Sequence, residues 1–128
     1  MKLKIDTKEK FIVLTPEESI ISANMTEDIE KIGGYASSEI PHIILNLKMV
    51  MEIDEHAAER ISFIQQQFYE KHRSMVICEM QPGVQTVFKN LDLTDVMNIT
   101  PTESEAWDIV QMEEIERELM NDFDRDDK

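Results

Sequence analysis

The sequence predicts a single α/β domain, and three observations carry that prediction. Short, nearly continuous apolar runs, Ile43-Ile44-Leu45-Asn46-Leu47 and Met75-Val76-Ile77-Cys78, are bounded by chain breakers, the pattern of strands buried on both faces. Segments with apolar residues at helical spacing separate them, so strands alternate with helices and the sheet is largely parallel. A chain of 128 residues has room for one core and little beyond it.

Residues 2–6 and 10–14 read as two strands joined by the tight turn Thr7-Lys8-Glu9, and Thr15-Pro16-Glu17 ends the second. Capping side chains and acids from Ser22 to Asp28 mark a helix start, after which Met25, Ile29, Ile32 and Ala36 recur at helical spacing. Gly33-Gly34 weakens that helix by about 1 kcal/mol per glycine against alanine, so a bend or an early end is expected. Pro41 closes this region and the strand beginning at Ile43 follows.

Asp54 has the right chemistry to cap the next helix, whose apolar positions Ala57, Ala58, Ile61, Ile64 and Phe68, with Phe63 flanking, extend it to about Lys71. After the strand Met75–Cys78, Pro82 opens a short one-sided helix through Val84, Val87, Phe88 and Leu91. Residues 96–99 read as a brief strand. Pro101-Thr102-Glu103-Ser104-Glu105 places acids in the first turn of the last helix, with a predicted apolar stripe of Ala106, Ile109, Met112, Ile115, Leu119 and Phe123. That helix is expected to reach about Asp122. We divide the chain into a domain over 1–116 and an acidic helix end and tail over 117–128.

Charge narrows the partners. The net charge is −14, and the 11 acids and 3 bases from Glu103 to Lys128 contribute −8 of it. Such a field repels phosphate backbones and anionic lipids, so nucleic acid and membrane surfaces are excluded as expected partners. No apolar run approaches the ~20 residues of a membrane span, the first residues lack a secretory apolar stretch, and the one cysteine, Cys78, cannot form an internal disulfide. The expected location is the cytoplasm.

The ordered set Ile43-Ile44-Leu45-Asn46-Leu47-Lys48, Ile53-Asp54, Met75-Val76-Ile77-Cys78 and Gln81-Pro82-Gly83-Val84 resembles the STAS domain of bacterial anti-sigma factor antagonists. The resemblance covers roughly residues 2–115. It implies a mixed sheet of four to five strands with an antiparallel edge strand and packed helices. It also implies reversible binding to a kinase-like anti-sigma factor. In that family an Asp-Ser-Ser-Gly loop opens the central helix, and phosphorylation of its second serine breaks the complex by adding about two negative charges to the interface.

Here the matching positions are Asp54, Glu55, His56 and Ala57. Asp54 preserves the cap, but Glu55 and His56 cannot become phosphoserine, so the family switch is expected to be absent. Three readings stand: a permanently anionic loop in which Glu55 partly mimics phosphate, constitutive binding with regulation placed elsewhere, or a direct role for His56 as phospho-acceptor or near-neutral switch. Constitutive binding is favoured. Because α/β sheets present binding loops at strand ends, we expect Met51, Glu52, Asp54, Glu55, His56 and Glu59 to form the partner surface. Met49 beside them adds an adaptable apolar side chain.

Other chemistries find no support. Neighbouring residues on a helix splay apart, so Asp54, Glu55, His56 and Glu59 cannot all converge on a metal, and no metal or cofactor is expected. Cys78 reads as core, and His42 and His72 have no carboxylate or cysteine at useful spacing. Neither a phosphate-binding glycine loop nor a catalytic triad order is present. Trp107 reads as packing at the edge of the core. The chain is therefore expected to be a non-catalytic regulatory binding protein of bacterial signalling, with two alternatives: a structural subunit of a larger signalling assembly, or a sensor of a small ligand. A second copy of the chain, met through Leu119, Met120 and Phe123, is a further candidate partner.

Overall fold

The computed structural model describes the backbone of residues 1–126 and the side chains as far as residue 121. In chain order it contains β1 (Leu3–Thr7), β2 (Phe11–Pro16), β3 (Ile20–Ile21), α1 (Thr26–Glu30), β4 (His42–Asn46), β5 (Glu52–Ile53), α2 (Glu55–Glu70), β6 (Met75–Cys78), α3 (Pro82–Asn90), β7 (Ile99–Thr100) and α4 (Glu103–Asp126). Five strands form one mixed sheet in the order β1-β2-β4-β6-β7. The edge pair β1–β2 is antiparallel, and β2–β4, β4–β6 and β6–β7 are parallel.

Strand alternation divides the buried apolar residues between two layers. Ile12, Leu14, Ile43, Leu45, Met75 and Ile77 face α1, α2 and α3. Phe11, Val13, Ile44, Val76 and Cys78 face α4, which answers with Ala106 and Val110. Burial on both faces is why β4 and β6 read as continuous apolar runs rather than alternating ones. Half-buried Trp107 meets Phe11 edge to face, with ring centroids 5.1 Å apart, and the Lys8 ammonium lies 5.0 Å from its ring.

Three local readings are corrected. The helical spacing from Met25 to Ala36 does not give one helix: 3-10 turns over Ala23–Met25 and Ile32–Tyr35 flank a five-residue α1. Ile29 and Ile32 are still buried, but Gly33-Gly34 sits in the second turn and no longer α-helix forms across it. The strand expected over 96–99 is instead the two residues Ile99–Thr100, overlapping it only at Ile99. Its start is lost to a turn in which the Val96 and Met97 N–H groups both donate to Leu93 O, at 3.2 and 3.0 Å. Asn98 O accepts the Ile77 N–H of β6 at 3.1 Å, and Gln65 brackets Asn98, donating from Nε2 to its O at 3.0 Å and accepting its N–H on Oε1 at 3.1 Å.

The third correction concerns α4. Only the start of the predicted stripe faces the core, Ala106 buried and Ile109 half-buried against it, whereas Met112, Ile115 and Leu119 are 58%, 55% and 57% exposed. Past Val110 the helix reaches the amino ends of β4 and β6, where the sheet face offers polar rather than apolar partners. Glu114 meets His42, Glu113 accepts a hydrogen bond from Tyr69 Oη at 2.8 Å, and Arg117 donates to Ser74 Oγ at 2.9 Å. His42 therefore does have a carboxylate partner. Phe123, the last residue of the predicted stripe, has its side chain outside the described residues.

The start of α4 is fixed equally by polar contacts. Thr102 and Glu105 make a reciprocal capping box, Oγ1 accepting the Glu105 N–H at 3.3 Å and Glu105 Oε2 accepting the Thr102 N–H at 3.4 Å. Glu79, at φ 59°, accepts the Glu103 N–H at 2.8 Å, and Glu103 accepts from Asn46 Nδ2 at 3.0 Å. These contacts fix α4 to the end of β4, next to the loop that opens α2.

Candidate partner-binding site

The carboxyl ends of the parallel strands and the amino ends of α2 and α3 lie at one edge of the sheet. The segment from Leu47 to Asp54 crosses that edge between β4 and α2. Leu47 and Val50 are buried and anchor it, so the intervening and following Met49 and Met51 point outward, 46% and 54% exposed. Backbone bonds hold the rest: Met51 and Glu52 both donate to Ser19 O at 2.8 and 3.0 Å, and Asp54 N donates to Ile21 O at 3.1 Å. These bonds and the β3–β5 ladder, which sets Ile20 opposite Glu52, make a small parallel sheet under the loop. Gln81 at the start of α3 adds a bond from Nε2 to Lys48 O at 2.8 Å.

Asp54 ends the loop with extended backbone and caps α2, its Oδ1 accepting the Ala57 N–H at 2.8 Å. Its other oxygen accepts the Ala23 N–H at 2.6 Å. Both oxygens are thus committed inside the chain, and Asp54 orients the site rather than supplying a free carboxylate. Glu55, His56 and Glu59 follow on the first turns of α2, all exposed, as are Met51 and Glu52. Glu55 and Glu59 share a face at four-residue spacing. Glu59 is also on the face of His56, three residues earlier. Among the described residues, none of the side chains of Glu52, Glu55, His56 and Glu59 hydrogen-bonds to another part of the chain.

The surface extends further than the sequence suggests. Exposed Ile20 joins it through β3, 32 positions before Glu52, a neighbour that no local pattern announces. Phe63, expected to flank the buried side of α2, is exposed in line with Glu55 and Glu59, and the Arg60 guanidinium lies 4.8 Å from its ring. Arg60 is itself paired with Glu30, Nε donating to Oε1 at 2.6 Å. The assembled surface is a row of carboxylates bordered by soft and aromatic apolar groups. Such a surface can take up basic side chains and bury a modest apolar contact. Neither Glu55 nor His56 offers a hydroxyl at the helix start.

The other candidate groups lie elsewhere. Cys78 is fully buried on the α4 face of the sheet, and burial, with Glu103 and Glu79 nearby, pushes its thiol up to about 12, the behaviour of a core residue. His42 lies at the opposite edge of the sheet from the loop. Among the described residues no three His, Cys, Asp or Glu side chains are grouped to hold a metal, and no helix is long and apolar enough to cross a membrane.

Comparison with known proteins converges on one family. The family model described as STAS domain matches residues 2–106. Among solved structures, a candidate anti-sigma factor antagonist of Thermotoga maritima superposes with a TM-score of 0.76 at 17% identity, covering 85% of this chain and 94% of that one. The anti-sigma factor antagonist SpoIIAA in its unphosphorylated form gives 0.67 at 18% identity, covering 86% and 96%. The phosphorylated form of the Bacillus SpoIIAA gives 0.57 at 15%, covering 85% and 99%. Among curated proteins none matches.

Proposed function

The chain belongs to the STAS domain family, and from that premise we propose that it is a non-catalytic, cytoplasmic regulatory protein that binds an anti-sigma factor. Its partner surface is Met51, Glu52, Glu55, His56 and Glu59, oriented by Asp54 and widened by Ile20, Met49 and Phe63. Binding is constitutive with respect to this loop. The observation that carries the reading is the placement of Glu55 and His56, exposed and without side-chain bonds among the described residues, on the first turn of α2 after a loop that backbone and capping hydrogen bonds hold in place. A surface fixed before binding loses little conformational entropy on docking.

The small-ligand alternative has a place in the fold, an open hollow of about 750 Å³ between α2 and α4 lined by His42, Tyr69, His72, Glu113 and Arg117. The polar groups of His42, Tyr69, Glu113 and Arg117 are already engaged within the chain. A ligand would have to displace those bonds, which favours the binding-protein reading.

Affinity capture from the source cell tests the proposal, with the native chain and the Glu55→Ala, His56→Ala double variant as baits. Co-purification of an anti-sigma factor with the native chain, reduced at least tenfold with the variant, is the expected result. Equal recovery on both baits moves the interface off α2. Transfer of phosphoryl from ATP to position 56 by the captured partner removes the constitutive reading.

A further inference from the structure

We propose that the outward side of α4 is a second docking surface, for an amphipathic helix of a partner whose apolar ridge is flanked by lysine or arginine. Met112, Ile115 and Leu119 recur at three- and four-residue spacing and lie more than half exposed on the side of α4 turned away from the sheet. A stripe at that spacing is what one helix presents to another. Beside it, between α4 and the β1–β2 turn, runs a groove of about 300 Å³ lined by Phe11, Val110 and Ile115, with Glu9 and Lys10 at its mouth. A large apolar side chain from the partner ridge fits into such a hollow as an anchor.

Charge selects the occupant. Between positions 108 and 121 the helix carries Asp108, Glu113, Glu114, Glu116 and Glu118 against one base, Arg117. Glu113, Glu114 and Arg117 are turned inward, to Tyr69, His42 and Ser74, which leaves Asp108, Glu116 and Glu118 with no base among them on the outer side. A second copy packed along the stripe would set Asp108, Glu116 and Glu118 against an equally acidic helix, and like charges across an interface are unfavourable. A helix with basic flanks turns the same charges into attraction. The stripe lies on the face of the sheet opposite α2, so one chain can hold two partners at once.

Two synthetic helical peptides with the same leucine ridge, one flanked by lysines and one by glutamates, test this by calorimetric titration and amide chemical-shift mapping. The lysine peptide is expected to bind at least tenfold more tightly than the glutamate peptide and to shift the amides of Met112, Ile115 and Leu119. Ile115→Glu, or the milder Leu119→Gln, each with native helicity, is expected to weaken the lysine peptide at least tenfold. The Glu55→Ala, His56→Ala variant leaves it unchanged, which separates this surface from the one on α2. Undiminished binding to both stripe variants reduces the attraction to bulk charge and overturns the proposal. So does a concentration-dependent dimer that Ile115→Glu abolishes, because the occupant is then a second copy.

Discussion

His42 and Glu114, 72 positions apart, meet at the amino edge of the sheet, where the imidazole Nε2–H donates to Glu114 Oε2 at 2.5 Å. The other ring nitrogen, Nδ1, accepts the Ser74 N–H at 2.9 Å. An amide N–H can only donate, so Nδ1 carries no proton and the buried ring is neutral. Protonation would turn two N–H groups toward each other in a site that is 1% exposed.

The first prediction is the pH dependence of stability. Burial, the largest influence, lowers the His42 pKa below 6.5, outweighing the raising effect of Glu114 and Glu113, while Arg117 adds to the lowering. Below 6.5 the unfolded imidazole takes up a proton that the folded one refuses. The contribution is therefore fully present above pH 6.5 and is lost as pH falls from there through the folded pKa, with a slope of at most ~1.4 kcal/mol per pH unit. Urea unfolding at steps from pH 7.5 to 5.5 is expected to show a steeper decline for the native chain than for His42→Gln. Parallel declines would reject the neutral ring.

Tyr69 supplies the second. Its hydroxyl donates to Glu113 at 2.8 Å and accepts from Asn98 Nδ2 at 2.6 Å, joining α2, α4 and the segment leading into β7. Burial raises its pKa well above the usual range, so the hydroxyl stays protonated and available as a donor. Tyr69→Phe keeps the ring and is expected to cost about 1–2 kcal/mol, because both polar partners are left half-satisfied. Chemical denaturation reads the loss directly, and a cost near zero would mean that water replaces the hydroxyl at no penalty.

These two contacts show what local sequence patterns can and cannot reveal. β4, β6, α2 and α3 were legible because burial on both faces, a 3.6 period, a capping aspartate and an opening proline are all written within a few residues. That Met51, Glu52, Glu55, His56 and Glu59 lie exposed around the start of α2 follows from the same local signals, since they are nearly contiguous. His42 with Glu114, and Ile20 with Glu52, are pairings made by the fold across tens of residues, and two-residue strands such as β3 and β5 have no periodicity to detect. In α4 the period was real, but only its start, Ala106 with Ile109, faces the core. An apolar stripe is assumed to face the core, whereas here the core side beyond Val110 is polar because the sheet presents His42 and Ser74 there.

Gly83 carries the third prediction. A Cβ at this position would lie 2.9 Å from the Met51 carbonyl oxygen, a backbone atom that cannot swing aside. Alanine gains about 1 kcal/mol of helix propensity over glycine, but only if α3 can keep its place. Here the start of α3 or the loop bearing Met49 and Met51 must move. Gly83→Ala is expected to lower stability in spite of that gain, to shift the amides of residues 49–53, and to weaken the partner contact. A variant more stable than the native chain, with an unmoved loop, would show that the contact yields freely.

The fourth prediction separates the two tasks of Asp54. Oδ1 caps α2 at Ala57 and Oδ2 ties the loop to Ala23, 31 positions earlier. Asp54→Asn keeps one oxygen for the cap but turns an amide N–H2 toward the Ala23 N–H, so the tie is lost together with the favourable charge at the helix start. Asp54→Ala loses both. Because the residue is exposed, the expected costs are modest, about 1–2 kcal/mol for alanine and roughly half that for asparagine, read as urea midpoints at constant slope. If the tie positions the surface, both variants weaken partner binding by a larger factor than they weaken the fold, since Glu55 and His56 depend on where α2 begins. Two variants of equal stability and undiminished affinity would mean that α2 and its side chains find the same place without Asp54.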